Sequence, residues 1–169
     1  MKGRIFMLEY NRLKAVAYAL FWAFGRNPAY FDFSDLGGDC TNFVSQSIYA
    51  GSGVMNYTPT FGWYYISPDD RSPSWTGVEF LYDFLVSNEG PGPFGEETSL
   101  QNVALGDVVQ LSFDGETYSH ALIVTGIRNR FQNDRRILVS AHSYDARNRP
   151  LSTYDYRDVR FIHILGVNE

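Results

Sequence analysis

Apolar residues recur at helical spacing in the first half of the chain and at strand spacing in the second half. In residues 13–24 they return every three or four positions, which predicts a buried first helix. Residues 40–50 fit a second helix, and residues 76–88 fit a third whose start is marked by a capping box of Thr76 and Glu79. The stripe of the first helix that we expect to be buried contains Leu13, Val16, Ala17, Leu20, Phe21 and Phe24.

After Pro93 the periodicity changes to the alternation that is typical of strands. It predicts strands at residues 107–113, 117–127, 137–143 and 159–165, joined by polar turns. Helices followed by an antiparallel sheet define an α+β fold. A chain of 169 residues with 44% hydrophobic content can bury one sizeable core, so we expect a single domain over residues 1–169.

Charge and targeting signals narrow the possible partners. The net charge is −5 and the 14 Lys and Arg are scattered, so nucleic acid is not an expected partner. The apolar run at 13–24 is too short to span a bilayer and lacks a small-residue cleavage site, which argues against an integral membrane segment and against a signal peptide. Localisation stays open: secreted or associated with the cell wall if a signal was removed, otherwise cytoplasmic.

The chain has one cysteine, Cys40, at the predicted start of the second helix, and His120 begins a predicted strand. A lone thiol with a histidine elsewhere in the chain is the outline of a cysteine nucleophile and its general base. The helix dipole and a nearby imidazolium would lower the pKa of the thiol, so we expect a thiolate at neutral pH. The Cys40 N–H could then face the oxyanion that develops during attack.

A third group is needed to orient the base, and two residues compete for this role. A hairpin that is symmetric about Phe131 places His142 directly opposite His120 on the same face of the sheet. A bulge or a slipped turn would bring Asp145 to His120 instead. Hairpin symmetry favours His142.

These residues lie in motifs that resemble a known family. The chain is similar, over about residues 9–165, to the amidase domain family of Gram-positive bacteria, which is related to the papain-like cell-wall peptidases and amidases of the NlpC and CHAP types. The segments that carry the resemblance are Gly-Gly-Asp-Cys-Thr-Asn-Phe-Val-Ser-Gln at 37–46, Gly-Asp-Val-Val at 106–109, Ser-His-Ala at 119–121 and His-Ser-Tyr-Asp at 142–145.

The resemblance implies a papain-like fold in which N-terminal helices pack on a C-terminal antiparallel sheet. It implies Cys40 as nucleophile, His120 as general base, and His142 or Asp145 as the third member. The reaction would be hydrolysis of an amide through a thioester, with a peptide or other amide as substrate, peptidoglycan among the candidates, and with no cofactor. The segment before Cys40 has no Gln or Asn to serve as an oxyanion donor.

Two other functions are compatible with the same residues. Cys40, His120, His142 and Asp145 could bind zinc in a hydrolase, although the close pairing typical of zinc ligands is absent. Alternatively, the aromatic segment 54–74 could bind cell-wall peptides or glycans in a module without catalysis. We expect His163, in an apolar strand, to be a hydrogen-bonded strand histidine.

Overall fold

The computed structural model of the chain describes residues 6–129 and 135–169. Within these residues, four helices come before or between the strands of a mainly antiparallel sheet. The helices are α1 (Arg12–Trp22), α2 (Cys40–Ser52), α3 (Pro73–Thr76) and α4 (Val78–Ser87). None of these helices is long and apolar enough to cross a membrane.

Seven strands form one antiparallel sheet and two more form a small separate hairpin. The strands are β1 (Met7–Leu8), β2 (Tyr65–Ser67), β3 (Asp70–Arg71), β4 (Gly92–Thr98), β5 (Val108–Ser112), β6 (Tyr118–Asn129), β7 (Arg135–Ala141), β8 (Ala146–Pro150) and β9 (Asp158–Asn168). The main sheet has the order β1-β9-β5-β6-β7-β8, with β4 also paired to β9, and β2 pairs with β3. The predicted α+β class is confirmed.

The predicted strands agree with β5, β6, β7 and β9, whereas β4 and β8 were not predicted as strands. The sequence predicts a turn at 148–150, but these residues belong to β8, which pairs with β7. β4 is rich in glycine, proline and glutamate and lies at the edge of β9, where such residues are tolerated. The tip of the hairpin around Phe131 lies outside the described residues.

The predicted third helix is divided in two at Gly77. This residue is the N-cap of α4 in an extended conformation, so Thr76 ends α3 and does not cap the following helix. The predicted capping box is therefore wrong. Glu79 instead accepts hydrogen bonds from the backbone of Tyr118 and from Arg160 in the sheet.

The buried stripe predicted for α1 is wrong in part. Leu13 and Phe21 are more than 70% exposed, and the buried residues are Ala15, Val16 and Ala19. The reason is close helix packing: a Cβ added at Gly51 of α2 would lie 3.1 Å from the Cβ of Ala15. Small residues allow this approach, and the larger apolar side chains are left on the outside.

α2 is the central helix, and it is buried on nearly all sides. Its described buried residues are Cys40, Thr41, Asn42, Phe43, Val44, Ser45, Gln46, Ser47, Ile48 and Gly51. The polar members are paired: Asn42 and Ser45 accept the indole N–H groups of Trp75 and Trp63. Burial of these polar groups is tolerable because each has a partner.

Two apolar cores lie on opposite faces of the sheet. Successive side chains of β6 alternate between them, with Ala121 and Ile123 in the core shared with α2, and Leu122 and Val124 in the other. Cys40 belongs to the first core.

Candidate active site

A cavity of about 550 Å³ opens at the start of α2 and β6. It brings together Cys40 and His120, the two residues that the sequence predicts as nucleophile and base. The full lining consists of Gly37, Gly38, Cys40, Phe113, Ser119, His120, Ser143, Tyr144, Arg149, Tyr154 and Asp155.

The thiol of Cys40 lies at the first turn of α2 and is largely shielded from solvent. Sγ lies 3.8 Å from Thr41 Oγ1, and the backbone of Ala121, next to His120 on β6, also interacts with it. Burial raises the pKa of the Cys40 thiol, and the charge of Asp39 raises it further. This direction runs against the expected thiolate at neutral pH, because burial disfavours the charged form of the group.

His120 is 7% exposed and has apolar surroundings. The centres of the Phe113 and Tyr154 rings lie 6.4 and 6.1 Å from that of its imidazole. Burial lowers the pKa of His120 to about 4, with a further contribution from the positive charge of Arg149. The ring is thus neutral at neutral pH. Its Nε2 is buried without a hydrogen-bond partner.

The same cavity therefore holds a thiol and an imidazole whose charged forms are both disfavoured by burial. No hydrogen bond between Sγ and the His120 ring is formed among the described contacts. An imidazole with a pKa of about 4 is unprotonated at neutral pH. The arrangement favours proton transfer during attack over a preformed ion pair.

His142 does not contact His120, so the predicted pairing of the two histidines is wrong. In the ladder between β6 and β7, Ile123 pairs with Ser140 and Val124 with Val139. Continued along both strands, this register places residue 143 opposite His120. The predicted register differs from this one by one residue, and such a shift moves a side chain to the other face of the sheet.

Both ring nitrogens of His142 have other partners. Nδ1 lies 2.6 Å from Asp39 Oδ2, Nε2 donates to the carbonyl of Trp22 at 2.8 Å, and the ring stacks on Phe43 with centroids 4.0 Å apart. A carbonyl can only accept, so Nε2 carries a proton. His142 is 1% exposed, and this contact also satisfies a carbonyl at the C-terminus of α1.

Asp39 is the centre of a buried polar network just before Cys40. Its Oδ1 accepts from the backbone N–H of Phe33 at 2.9 Å and from Asn42 Nδ2 at 2.8 Å, and its Oδ2 faces His142. Several partners thus converge on this carboxyl group, and its contact with His142 is short and buried. This contact ties the start of α2 to the end of β7. Asp39 occupies the N-cap position without capping the helix through its side chain.

Asp145 is likewise engaged away from His120. Its two carboxylate oxygens accept from the two terminal nitrogens of Arg26, each at 3.0 Å. Neither residue predicted as the third member is hydrogen-bonded to His120. The orienting position beside the candidate base must be filled by another group.

The loop that leads to Cys40 forms one wall of the cavity. Gly37 and Gly38 have φ values of +92° and +109°, which favour glycine. A Cβ on Gly38 would lie 3.4 Å from Ser143 Oγ, and this hydroxyl accepts the backbone N–H of Asp39 at 2.8 Å. The close approach of this loop to the end of β7 explains the Gly-Gly-Asp-Cys sequence.

A second buried polar cluster lies outside the cavity lining, around Asp107. It accepts from Arg12 at 2.6 Å and contacts His163 Nδ1 at 2.7 Å, and the backbone N–H groups of Ala104 and Ile164 also donate to it. His163 is thus a hydrogen-bonded strand histidine, as predicted. The Gly-Asp-Val-Val motif owes its aspartate to this structural role.

The four side chains considered as zinc ligands do not converge. His142 and Asp145 are bound to Asp39 and Arg26, away from His120. Within residues 6–129 and 135–169, no group of three or more His, Cys, Asp or Glu side chains is arranged to hold a metal ion.

Comparison with known proteins identifies the class. The model of the family described as "Putative amidase domain" matches residues 9–165. The chain belongs to this family, whose name indicates amide-bond hydrolysis in general.

One curated relative is "Uncharacterized protein YhbB" from Bacillus subtilis (strain 168), 35% identical over 157 residues. The match covers 90% of this chain and 47% of the relative, so the chain spans about half the length of that protein. No solved structure matches the chain significantly.

Several lining residues were not found from the sequence. Phe113, Arg149 and Tyr154 line the cavity from the β5–β6 turn, β8 and a 3-10 turn (Leu151–Thr153) that follows it. No motif marks them, since they converge only after the sheet is paired. Trp63 does not line the cavity: it is fully buried and packs on Trp75.

Proposed function

We propose that this protein is a cysteine-dependent amide hydrolase, with Cys40 as nucleophile and His120 as general base. The observation that carries the proposal is that the chain's one cysteine, at the start of the central helix, opens into the same cavity as His120. The family supports hydrolysis of an amide, and this geometry supports the residues that perform it. A helix-borne cysteine beside a strand-borne histidine also supports the papain-like arrangement.

In the proposed reaction, Sγ attacks the carbonyl carbon of the amide while His120 takes the thiol proton. The C–N bond then breaks, His120 returns the proton to the leaving amine, and the acyl group stays on Sγ as a thioester. Water attacks the thioester as His120 accepts one of its protons. The acid is released and the proton returns to the sulfur.

Stabilisation of the tetrahedral intermediate is assigned to the start of α2. The first N–H groups of a helix have no partner within the helix, and the Cys40 N–H lies beside its own sulfur. An oxyanion formed at the attacked carbonyl would face this donor and the positive end of the helix dipole. This donor set needs no Gln or Asn before the cysteine.

We propose cell-wall peptides as the substrate class. The support is the resemblance of the Cys40 and His120 motifs to the NlpC and CHAP types. The cavity is lined mainly by glycine, serine and aromatic side chains and is open to solvent, which suits a peptide more than a buried small molecule. Attack of an amine on the thioester would give acyl transfer with the same residues.

The test is incubation of the protein with purified peptidoglycan fragments, with product masses read by mass spectrometry. We expect an added mass of one water distributed over two products, and no products with Cys40→Ala or Cys40→Ser. Ser119→Ala is the matched control, since it removes a hydroxyl from the cavity lining that takes no part in the proposed reaction, and it should retain turnover.

Two outcomes would refute the proposal. Turnover by Cys40→Ala would exclude the cysteine as nucleophile. Binding of the fragments without products, unchanged in Cys40→Ala or after alkylation of the thiol, would show a peptide-binding module instead.

A further inference from the structure

Two buried polar atoms that have no hydrogen-bond partner within residues 6–129 and 135–169 flank the cavity. They are Nε2 of His120 and the phenolic oxygen of Tyr154, and the two rings lie 6.1 Å apart, centre to centre. Buried polar atoms in native proteins nearly always have a partner, so an unsatisfied pair on neighbouring rings needs an explanation. Each atom could satisfy the other.

The ring of Tyr154 is held in position by its surroundings. The guanidinium of Arg149 stacks on it at 3.9 Å from the ring centre. Arg149 is in turn fixed by hydrogen bonds from Nε to Thr153 Oγ1 at 2.8 Å and from a terminal nitrogen to the Thr153 carbonyl at 2.9 Å. These contacts orient the phenol, whose hydroxyl lies near Arg149 and has no hydrogen bond of good geometry within the described residues.

We propose that Tyr154 is the positioning residue of His120. In the working enzyme the phenolic oxygen accepts a hydrogen bond from Nε2–H of His120, directly or through one water molecule. Tyr154 would thus occupy the third position, which His142 and Asp145 do not fill. This inference rests on the proposed function of His120 as general base.

The proposal gives the two ring nitrogens different partners. Nδ1 takes the proton of Cys40, and Nε2, which is closed to solvent, is held by Tyr154. Nε2 must then already carry a proton and needs an acceptor, most of all when the ring becomes an imidazolium. An unsatisfied charged N–H in a buried site costs more than a neutral one.

A phenol suits this place because it accepts a hydrogen bond without adding a charge. Burial raises the pKa of Tyr154, so the hydroxyl stays protonated at neutral pH. A carboxylate there would pair with Arg149 and lose its place beside His120. The uncharged phenolic oxygen can remain close to the imidazole of His120.

The test uses Tyr154→Phe in the full chain, which removes only the hydroxyl and keeps the ring under Arg149. Tyr156→Phe, two residues further on and packed on the same core, is the matched control. Loss of one hydrogen bond to a charged group should lower kcat on peptidoglycan fragments about 10- to 100-fold, with little change in KM. The control should keep the kcat of the parent.

A second readout does not depend on turnover. In ¹⁵N-labelled protein, the Nε2 chemical shift of His120 should change in Tyr154→Phe and stay as in the parent in Tyr156→Phe. An unchanged Nε2 signal and unchanged kcat would overturn the inference. A lower Tm with both readouts unchanged would also overturn it, because Tyr154 would then be structural. If Cys40→Ala retained turnover, the proposed function would fail, while the Nε2 shift would still decide whether Tyr154 contacts His120.

Discussion

His120 and His142 lie at neighbouring strand ends, and both are buried, yet their surroundings are opposite. His142 has partners on both ring nitrogens, Asp39 and the Trp22 carbonyl, and an aromatic ring stacked on its face. His120 has a nitrogen with no partner, apolar neighbours and a cavity beside it. One histidine is part of the scaffold, and the other keeps the freedom to exchange a proton.

The difference shows that burial by itself does not separate structural from reactive histidines. The hydrogen-bond partners of the ring nitrogens separate them. His142, with partners on both ring nitrogens, holds the loop before Cys40, since Asp39 is adjacent to that residue. His120 lies in apolar surroundings, and burial lowers its pKa to about 4.

His120→Gln is the substitution that tests the contrast between the two histidines most directly. We expect turnover of peptidoglycan fragments to fall about 10³-fold or more, because the proton acceptor is lost. The free energy of unfolding should change by less than about 1 kcal/mol, since no described hydrogen bond of the ring is removed. Kinetics and urea denaturation on one preparation measure both, and retained turnover would contradict the role of His120.

His142→Ala should show the reverse pattern. Removing His142 takes the 2.6 Å partner from the buried Asp39 carboxyl and leaves Arg26 Nε at 3.7 Å, so we expect the free energy of unfolding to fall by about 3 kcal/mol. Urea denaturation measures the loss, and a double-mutant cycle with Asp39→Asn measures the coupling between the two residues. A variant as stable as the parent would show that the contact between Asp39 and His142 does not stabilise the fold.

The depressed pKa of His120 predicts a pH dependence of stability. Between pH 4 and 6.5 the unfolded chain binds a proton at this position that the folded chain does not. The free energy of unfolding should therefore rise by up to about 3 kcal/mol as pH increases through this window, and then level off. In His120→Gln this increment should be missing when the two proteins are compared from pH 4 to 7, and parallel curves would be evidence against the shift.

The smallest effect concerns the charge beside His120. Arg149→Gln removes the cation that helps to lower the pKa of the imidazole, so that pKa should rise by less than about one pH unit. NMR titration of His120 gives the value directly. Arg147→Gln, an exposed arginine on the same strand, is the control and should leave the pKa unchanged.

The order of elements and the α+β class follow from the sequence because periodicity reports which face of each segment is buried. The strand register that separates His142 from His120 could not be predicted, and the reason is local. Near the turn, Arg128 pairs with Arg136, but a bulge between Val124 and Gly126 gives β6 one extra residue. Because of this extra residue, His142 lies on the face of the sheet that packs against α2.

The surroundings of Cys40 were also only partly predictable. The Asp-Cys motif indicated a nucleophile, but periodicity does not show that the helix is buried on every side, and this burial raises the pKa of the thiol. The partners of Asp39 and Tyr154 are distant in sequence or lie in turns without periodicity. Such contacts depend on tertiary packing that no local pattern encodes.

The contact between Asp39 and His142 spans 103 positions of the chain. Contacts of such sequence separation form late, after the loop between them has been closed. During synthesis, the segment with Cys40 leaves the ribosome long before β7 can reach it. We therefore expect the Cys40 thiol of the nascent chain to be accessible to solvent, and the cavity beside it to form only when the C-terminal sheet has packed on the central helix.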